Sequence, residues 1–413
     1  FSSMKPSTFA DISPASLRRL LLAFAFASCI ALLFTSSAQA SKTQLSLFQD
    51  DGRLTSYAPD IRADALDKMQ SMGVDIVKGT VHWRESSPHF TSSHRPSGDA
   101  SSPSFYNWGI SPTLVEEIRA RGMTPWLMLT QLGPDWASES GATKSLPGGL
   151  RADPATFGDF SVAAFKRFAD VPYVQIGNEP NFQYWLWPQI TRKKVSFAAV
   201  HYRKMYIEAQ NRILAQGLAG RQLLFGALAP RANAPTDGQR ATQPVRFMRD
   251  FFCLDDKLKP LKGAAARARS CTGKYQKVRA SGYAYHPYTT KNGPQERAKF
   301  ADDAPIAYMK RIYKVLDKAY AYKRISVRRI PVWNDEFAYE SNPPDIIRTP
   351  VARIPQYINE AEYLSYRDPR MRSYAQYQLY DEALNDSLPP SDLKHYSGFQ
   401  AGLYFEDGSP KGV

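Results

Sequence analysis

From about residue 44 onward, short runs of apolar residues alternate with longer stretches in which apolar positions recur every three or four residues. The short runs read as buried strands at 44–49, 74–80, 124–130, 173–177, 222–227, 282–285, 330–334 and 373–379. Between them, helical spacing predicts helices over 60–72, 111–121, 156–168, 197–216, 304–322 and 354–365. The first shows the logic: Pro59 precedes it, Ile61, Ala65, Leu66 and Met69 share one side, and Gly73 stops it. Strict alternation of this kind marks α/β architecture. Eight strands with interposed helices favour a (β/α)8 TIM barrel over an open doubly wound sheet. The first strand is not followed by the glycine-rich turn that a dinucleotide-binding sheet needs. The eighth helix is expected to be incomplete, since Lys411, Gly412 and Val413 fall where it should begin.

The N-terminal stretch has a different pattern. Lys5, Arg18 and Arg19 precede an apolar run over 20–34, which leads to Ala38-Gln39-Ala40. That order reads as an export signal cleaved near Ala40, making 1–40 a signal peptide and 41–413 one catalytic barrel domain. The run is shorter than the ~20 apolar residues of a comfortable membrane span, so no membrane association is expected after cleavage. Removing the signal removes Cys29 and leaves Cys253 and Cys271, an even pair in a chain bound for an oxidising compartment, which is expected to form a disulfide. The basic stretch between them lacks a clear amphipathic period and reads as an excursion that needs a staple.

Composition narrows the picture only a little. The net charge is +14, or +12 without residues 1–40, and suits acidic glycans, a negatively charged cell surface or plain solubility. Basic residues are not interleaved with stacking aromatics, so no nucleic-acid partner is expected. No cluster of His or Cys has ligand spacing, so neither a metal nor an organic cofactor is expected. Oligomeric state is silent.

Two strands end in carboxylates. Val174-Gln175-Ile176-Gly177 runs into Asn178-Glu179-Pro180-Asn181, and Ile330-Pro331-Val332-Trp333-Asn334 runs into Asp335-Glu336. In a parallel barrel both emerge at the C-terminal rim, where such folds keep their chemistry. A facing pair of carboxylates is the equipment of glycoside hydrolysis. Alternation puts Val332, Asn334 and Glu336 on one face of the seventh strand and Asp335 on the other, which favours Glu336 and leaves Asp335 as the alternative. Long polar or aromatic loops at 85–107, 133–154, 181–194 and 230–243 are the expected cleft walls. They place Trp136, Trp185 and Trp187 as candidate sugar platforms, while Trp83, Trp108, Trp126 and Trp333 read as core or loop anchors.

On these residues the chain resembles the clan A glycoside hydrolases, particularly the family 39 β-xylosidase and α-L-iduronidase branch and the family 5 cellulase branch. The resemblance implies a retaining mechanism on β-linked polysaccharides or oligosaccharides, with Glu179 as acid/base, Glu336 as nucleophile and Asn178 as a contact to the sugar 2-hydroxyl. His286 and Tyr288, after the sixth strand, resemble the His-x-Tyr of the family 5 branch, implying a substrate contact and support for the nucleophile. The pattern departs at Lys78, where many relatives carry arginine and where a role beside the substrate is expected, and at Asp335 and Ala338 around the second carboxylate. Those departures keep a second reading open, a non-catalytic glycan-binding barrel derived from such an enzyme.

Overall fold

The computed structural model describes residues 43–139, 151–191, 195–232 and 241–412. The chain divides into Phe1–Ala40 and Ser41–Val413. The expected export signal lies outside the described residues.

Eight parallel strands form one sheet: β1 Leu45–Gln49, β2 Ile76–His82, β3 Thr124–Thr130, β4 Tyr173–Ile176, β5 Gln222–Leu228, β6 Gly282–Tyr285, β7 Val332–Asn334 and β8 Ser373–Tyr377. Each pairs with the next, β8 pairs back onto β1, and a bridge between Val332 and Met371 joins β7 to the start of β8. The result is the expected (β/α)8 barrel, with all eight strands where the apolar runs lie. The outer layer comprises α1 Pro59–Ser71, α2 Ser111–Ala120, α3 Pro154–Arg167, α4 Phe197–Ala215, α5 Pro244–Phe251, α6 Lys310–Ala321 and α7 Ile354–Arg367.

Alternation along the strands divides the apolar residues into two layers. Leu47, Ile76, Trp126, Leu224, Ala284, Trp333 and Ala375 fill the barrel interior. Their outward neighbours, among them Val174, Ile176, Phe225, Tyr283 and Val332, pack with residues of the helices. The rings of Trp126, Tyr173 and Trp333 meet at 5.1 to 5.5 Å and plug the barrel, so the polar site can only be built above them. Gly282 makes room for that plug, because a Cβ there would sit 2.6 Å from Trp333 Nε1.

Two features differ from the sequence expectation. Residues 244–251 form α5, whose Val245, Phe247, Met248 and Phe251 are buried; eight residues are too few to announce a helix by periodicity alone. The excursion between the cysteines carries a helical segment, Gly263–Ala268, while the bridge between Cys253 and Cys271 is present as expected. Arg203 of α4 ties it down, donating to the carbonyls of Asp250, Phe251, Arg269 and Ser270 at 2.5 to 3.2 Å. After β8 the described chain is irregular apart from the 3-10 turn Leu393–Tyr396. It is strapped to the barrel by Asp50, which accepts from the Leu379 and Tyr380 amides, and by the buried pair Lys411–Asp381 at 2.6 Å.

Candidate active site

Strand β4 delivers its carboxylate through an unusual backbone. Gly177 has φ +86°, and a Cβ there would lie 2.8 Å from the Tyr202 ring, so only glycine fits. Glu179 itself adopts φ +35°, a conformation that costs energy for a residue with a Cβ and is held by surrounding contacts. Gln131 at the end of β3 grips Asn178 on both sides, accepting from its amide and donating to its carbonyl at 2.7 Å each. The Glu179 amide donates to Ala227 O at 2.9 Å. Asn181 braces the next loop, donating to Ala229 O and Thr242 O and accepting from the Ala229 amide. Its role in the motif is structural. Asn178 Oδ1 is buried with no partner among the described residues.

Strand β7 delivers the second carboxylate by a route the alternation argument does not describe. Val332 faces the helices, whereas Trp333 and Asp335 continue the inward face. Counting by alternation therefore sends Glu336 outward. It reaches the cleft because the strand ends at Asn334 and the chain turns. A Glu179 oxygen, a Glu336 oxygen and a His286 ring nitrogen all lie within 4.8 Å of one another.

Around this pair sits a buried charged cluster. Tyr288 donates its hydroxyl to Glu336 Oε1 at 3.0 Å, and Lys78 Nζ lies 3.8 Å from Glu336 Oε2. His286 places Nδ1 3.1 Å from Glu179 Oε1 and Nε2 3.3 Å from Asp335 Oδ2. Lys78 is fully buried and donates to Asp335 at 2.7 Å; it supports the carboxylates from below and does not line the cleft, contrary to the substrate-contact expectation. Asp335, likewise fully buried, is not available to attack a ligand. Burial alone would raise its carboxyl, but Lys78 and His286 hold it well below the usual carboxylate range. Burial works against a charged His286 ring, yet Glu336 and Asp335 raise it to about 10. Burial pushes Glu336 up, with Glu179 and Asp335 adding to the shift and His286 and Lys78 opposing it. The same three side chains are near enough to hold a metal ion, and the carboxylates that favour a protonated His286 ring work against its serving as a ligand.

The pair opens into a cavity of about 690 Å³ lined by Tyr288, Thr290, Tyr339, Glu340, Arg348 and Phe399, among others. Its walls come chiefly from the loops after β6, β7 and β8, with Arg231 from the loop after β5. The expected walls at 85–107 and 133–154 instead close on each other where described, through Arg84–Asp135 and the Asp135 amide on Phe90 O. Trp136 belongs to that closure: its indole donates to Pro88 O at 3.0 Å and its ring meets Phe105. Trp185 stacks edge-on with Tyr184, and neither tryptophan lines the cavity. Trp83, Trp108, Trp126 and Trp333 are buried, as expected. The sequence reading missed Tyr339, Phe399 and Glu340, which sit on loops without a motif. Burial, against the opposing charge of Arg348, pushes the Glu340 carboxyl to about 7. A groove of about 750 Å³ beside α6 and α7 also carries acids, but Asp317 is tied to Arg370 and Asp368 to the Tyr313 hydroxyl.

No protein-family model and no curated protein matches the chain. Solved structures do. A family 39 glycoside hydrolase from the gut symbiont Bacteroides cellulosilyticus WH2 aligns with a TM-score of 0.54 at 12% identity over 89% of this chain and 61% of that one. β-Glucosidase 2 from the fungus Trichoderma reesei gives 0.54 at 13% identity over 90% of this chain and 96% of the other. A monomeric β-xylosidase from Caulobacter crescentus CB15 gives 0.52 at 13% identity, covering 90% and 67%. The chain thus shares the (β/α)8 fold of the clan A glycoside hydrolases, the class its strand-end motifs resemble. It spans about three fifths of the Bacteroides enzyme's length.

Proposed function

We propose that this chain is an exported, retaining glycoside hydrolase that cleaves β-glycosidic bonds in polysaccharides or oligosaccharides. The observation that carries the reading is the separation of the carboxylates: oxygens of Glu179 and Glu336 within 4.8 Å at the mouth of a cavity. Retaining enzymes hold their carboxyl groups about 5 Å apart, whereas inverting enzymes leave roughly 6.5–9.5 Å for a water molecule between them. The β-linkage rests on the β-glucosidase and β-xylosidase among the structures of the same fold.

In this scheme Glu336 attacks the anomeric carbon while Glu179 gives its proton to the departing glycosidic oxygen. Glu179 then takes a proton from water, whose oxygen displaces Glu336 and restores both groups. Tyr288 and Lys78 place hydrogen-bond and positive-charge support on Glu336 against the burial that raises its carboxyl, and this support suits it to act as the ionised nucleophile. Asn178 Oδ1, buried and unpaired among the described residues, is the acceptor assigned to a sugar hydroxyl. Phe399, exposed in the cavity wall, is the aromatic ring assigned to a sugar ring.

Two substitutions test the roles. Glu336→Gln is expected to abolish turnover of every glycoside while the protein stays folded by circular dichroism. Glu179→Ala is expected to cost roughly 10²–10⁴-fold on substrates with poor leaving groups, much less on activated aryl glycosides, with azide restoring turnover. Equal losses on all leaving groups without azide rescue contradict the assignment of Glu179, and near-normal activity in Glu336→Gln contradicts the mechanism.

A further inference from the structure

The groove of about 750 Å³ beside α6 and α7 belongs to the outer layer of the barrel and shares no lining residue with the catalytic cavity. Helical spacing puts Lys310, Tyr313, Asp317 and Tyr320 of α6 along one wall, each three or four residues from the next. Arg328 and Arg329 line it just before β7, at the end of the strand opposite to the one that delivers Glu336.

The lining carries five cations against two carboxylates, and the fold already engages both carboxylates. Asp317 pairs with Arg370 Nη1 at 2.9 Å, and Asp368 accepts from the Tyr313 hydroxyl at 2.6 Å and from the Arg370 amide at 2.9 Å. Lys310, Arg328, Arg329 and Arg367 are exposed and have no ion pair among the described residues. Arg370 is the most buried of the five at 7% exposure. Its Nε donates to Ile330 O at 2.9 Å, while its Nη2 is buried without a hydrogen-bond partner among the described residues. A buried cation with a donor left over is costly, and an anion held in the groove lowers that cost.

We propose that this groove is a second glycan site, separate from the catalytic cavity, which holds a strand of uronic-acid polysaccharide through its carboxylates. The choice of a glycan over other polyanions rests on the glycosidase reading of the chain. Four of the five cations are arginines, whose planar forks match a carboxylate in two-point contact. Exposed Tyr320, with Leu364 and Pro369 opposite, sets apolar surface among these charges, which suits the C–H faces of sugar rings that carry carboxylates. The volume falls within the roughly 300–1,000 Å³ of small-ligand sites, room for a short stretch of a longer polymer. Such a site keeps the protein on an acidic polymer while the rim acts on bonds within reach.

The test is the affinity of polygalacturonate, measured by calorimetry at fixed ionic strength because the contacts are screened by salt. Its α-linkages lie outside the proposed activity, so the probe stays intact. A highly methyl-esterified form of the same polymer keeps the rings and loses the charges. The groove variant combines Arg328→Gln, Arg329→Gln and Arg367→Gln; a matched control combines Lys257→Gln, Lys259→Gln and Lys262→Gln, which removes three exposed charges from the disulfide-bearing excursion. The groove variant is expected to bind on the order of tenfold more weakly, the control within about twofold of wild type, and the esterified polymer to fail to bind. Turnover of a short neutral aryl glycoside is expected to be unchanged in the groove variant, and a loss there contradicts the separation of the two sites.

Equal weakening by the two triple variants is diffuse attraction to a basic protein and overturns the proposal, as does equal binding of the esterified polymer. Tighter groove-dependent binding of a single-stranded oligothymidylate overturns the choice of occupant. Groove-dependent binding of polygalacturonate in a protein without glycosidase activity leaves the site standing and sinks the catalytic reading. Glycoside hydrolysis without that binding does the reverse.

Discussion

His286 is where charge, burial and stability meet in a single side chain. Its folded-state pKa of about 10 lies above the ordinary 6.5, so the stability it contributes is complete below pH 6.5 and is lost as pH rises through 10. Urea midpoints measured across that window are expected to fall with pH, and to fall less steeply in His286→Gln. Parallel declines in the two proteins contradict the charged ring. Glu179 was legible from its motif, because the strand-end Asn-Glu-Pro carries its own turn. Glu336 was legible by resemblance but not by the alternation argument, which places it on the face that Val332 turns to the helices. Strand periodicity holds only inside the ladder, and β7 ends at Asn334. Lys78 was noticed as a departure. Its partner was not, since nothing in the sequence joins residue 78 to residue 335 until β2 and β7 face each other across the barrel.

At the scale of elements, the strands were the most legible part, because each is a short, β-branched or aromatic run buried on both faces. The cleft walls were the least. Length and aromatic content singled out the loops after β2 and β3, which close against each other, while the cavity is built largely by loops after β6, β7 and β8. Which loop folds inward depends on contacts between loops, and these leave no periodic trace. The disulfide-bearing excursion yields a prediction here. Closing a loop of 18 residues contributes roughly 3 kcal/mol in the chain-entropy model, and Arg203 with the Arg269–Asp250 pair keeps part of the docking without it. Reduction is therefore expected to expose 253–271 to limited proteolysis while most catalytic activity survives. Intact mass of protein recovered from an exporting host is expected to show a chain without residues 1–40 and two hydrogens lighter than the dithiol. Two free thiols in that protein contradict the export assignment together with the bridge's role.

For the whole molecule, the barrel brings two distant glutamates to one rim, and all the chemistry assigned to the chain follows from their distance. The strained turn at Glu179, the Gln131 grip on Asn178 and the buried charges beneath Glu336 hold that distance. Carboxylate oxygens within 4.8 Å fall nearer the spacing of retaining than of inverting enzymes, and in the proposed function the sugar passes through a covalent link to Glu336. The most direct test is the anomeric configuration of the first-formed product, followed by proton NMR before mutarotation on a β-linked substrate that the protein turns over. The β-anomer, with configuration retained, is the predicted result; initial appearance of the α-anomer contradicts the carboxylate geometry and the double-displacement mechanism together.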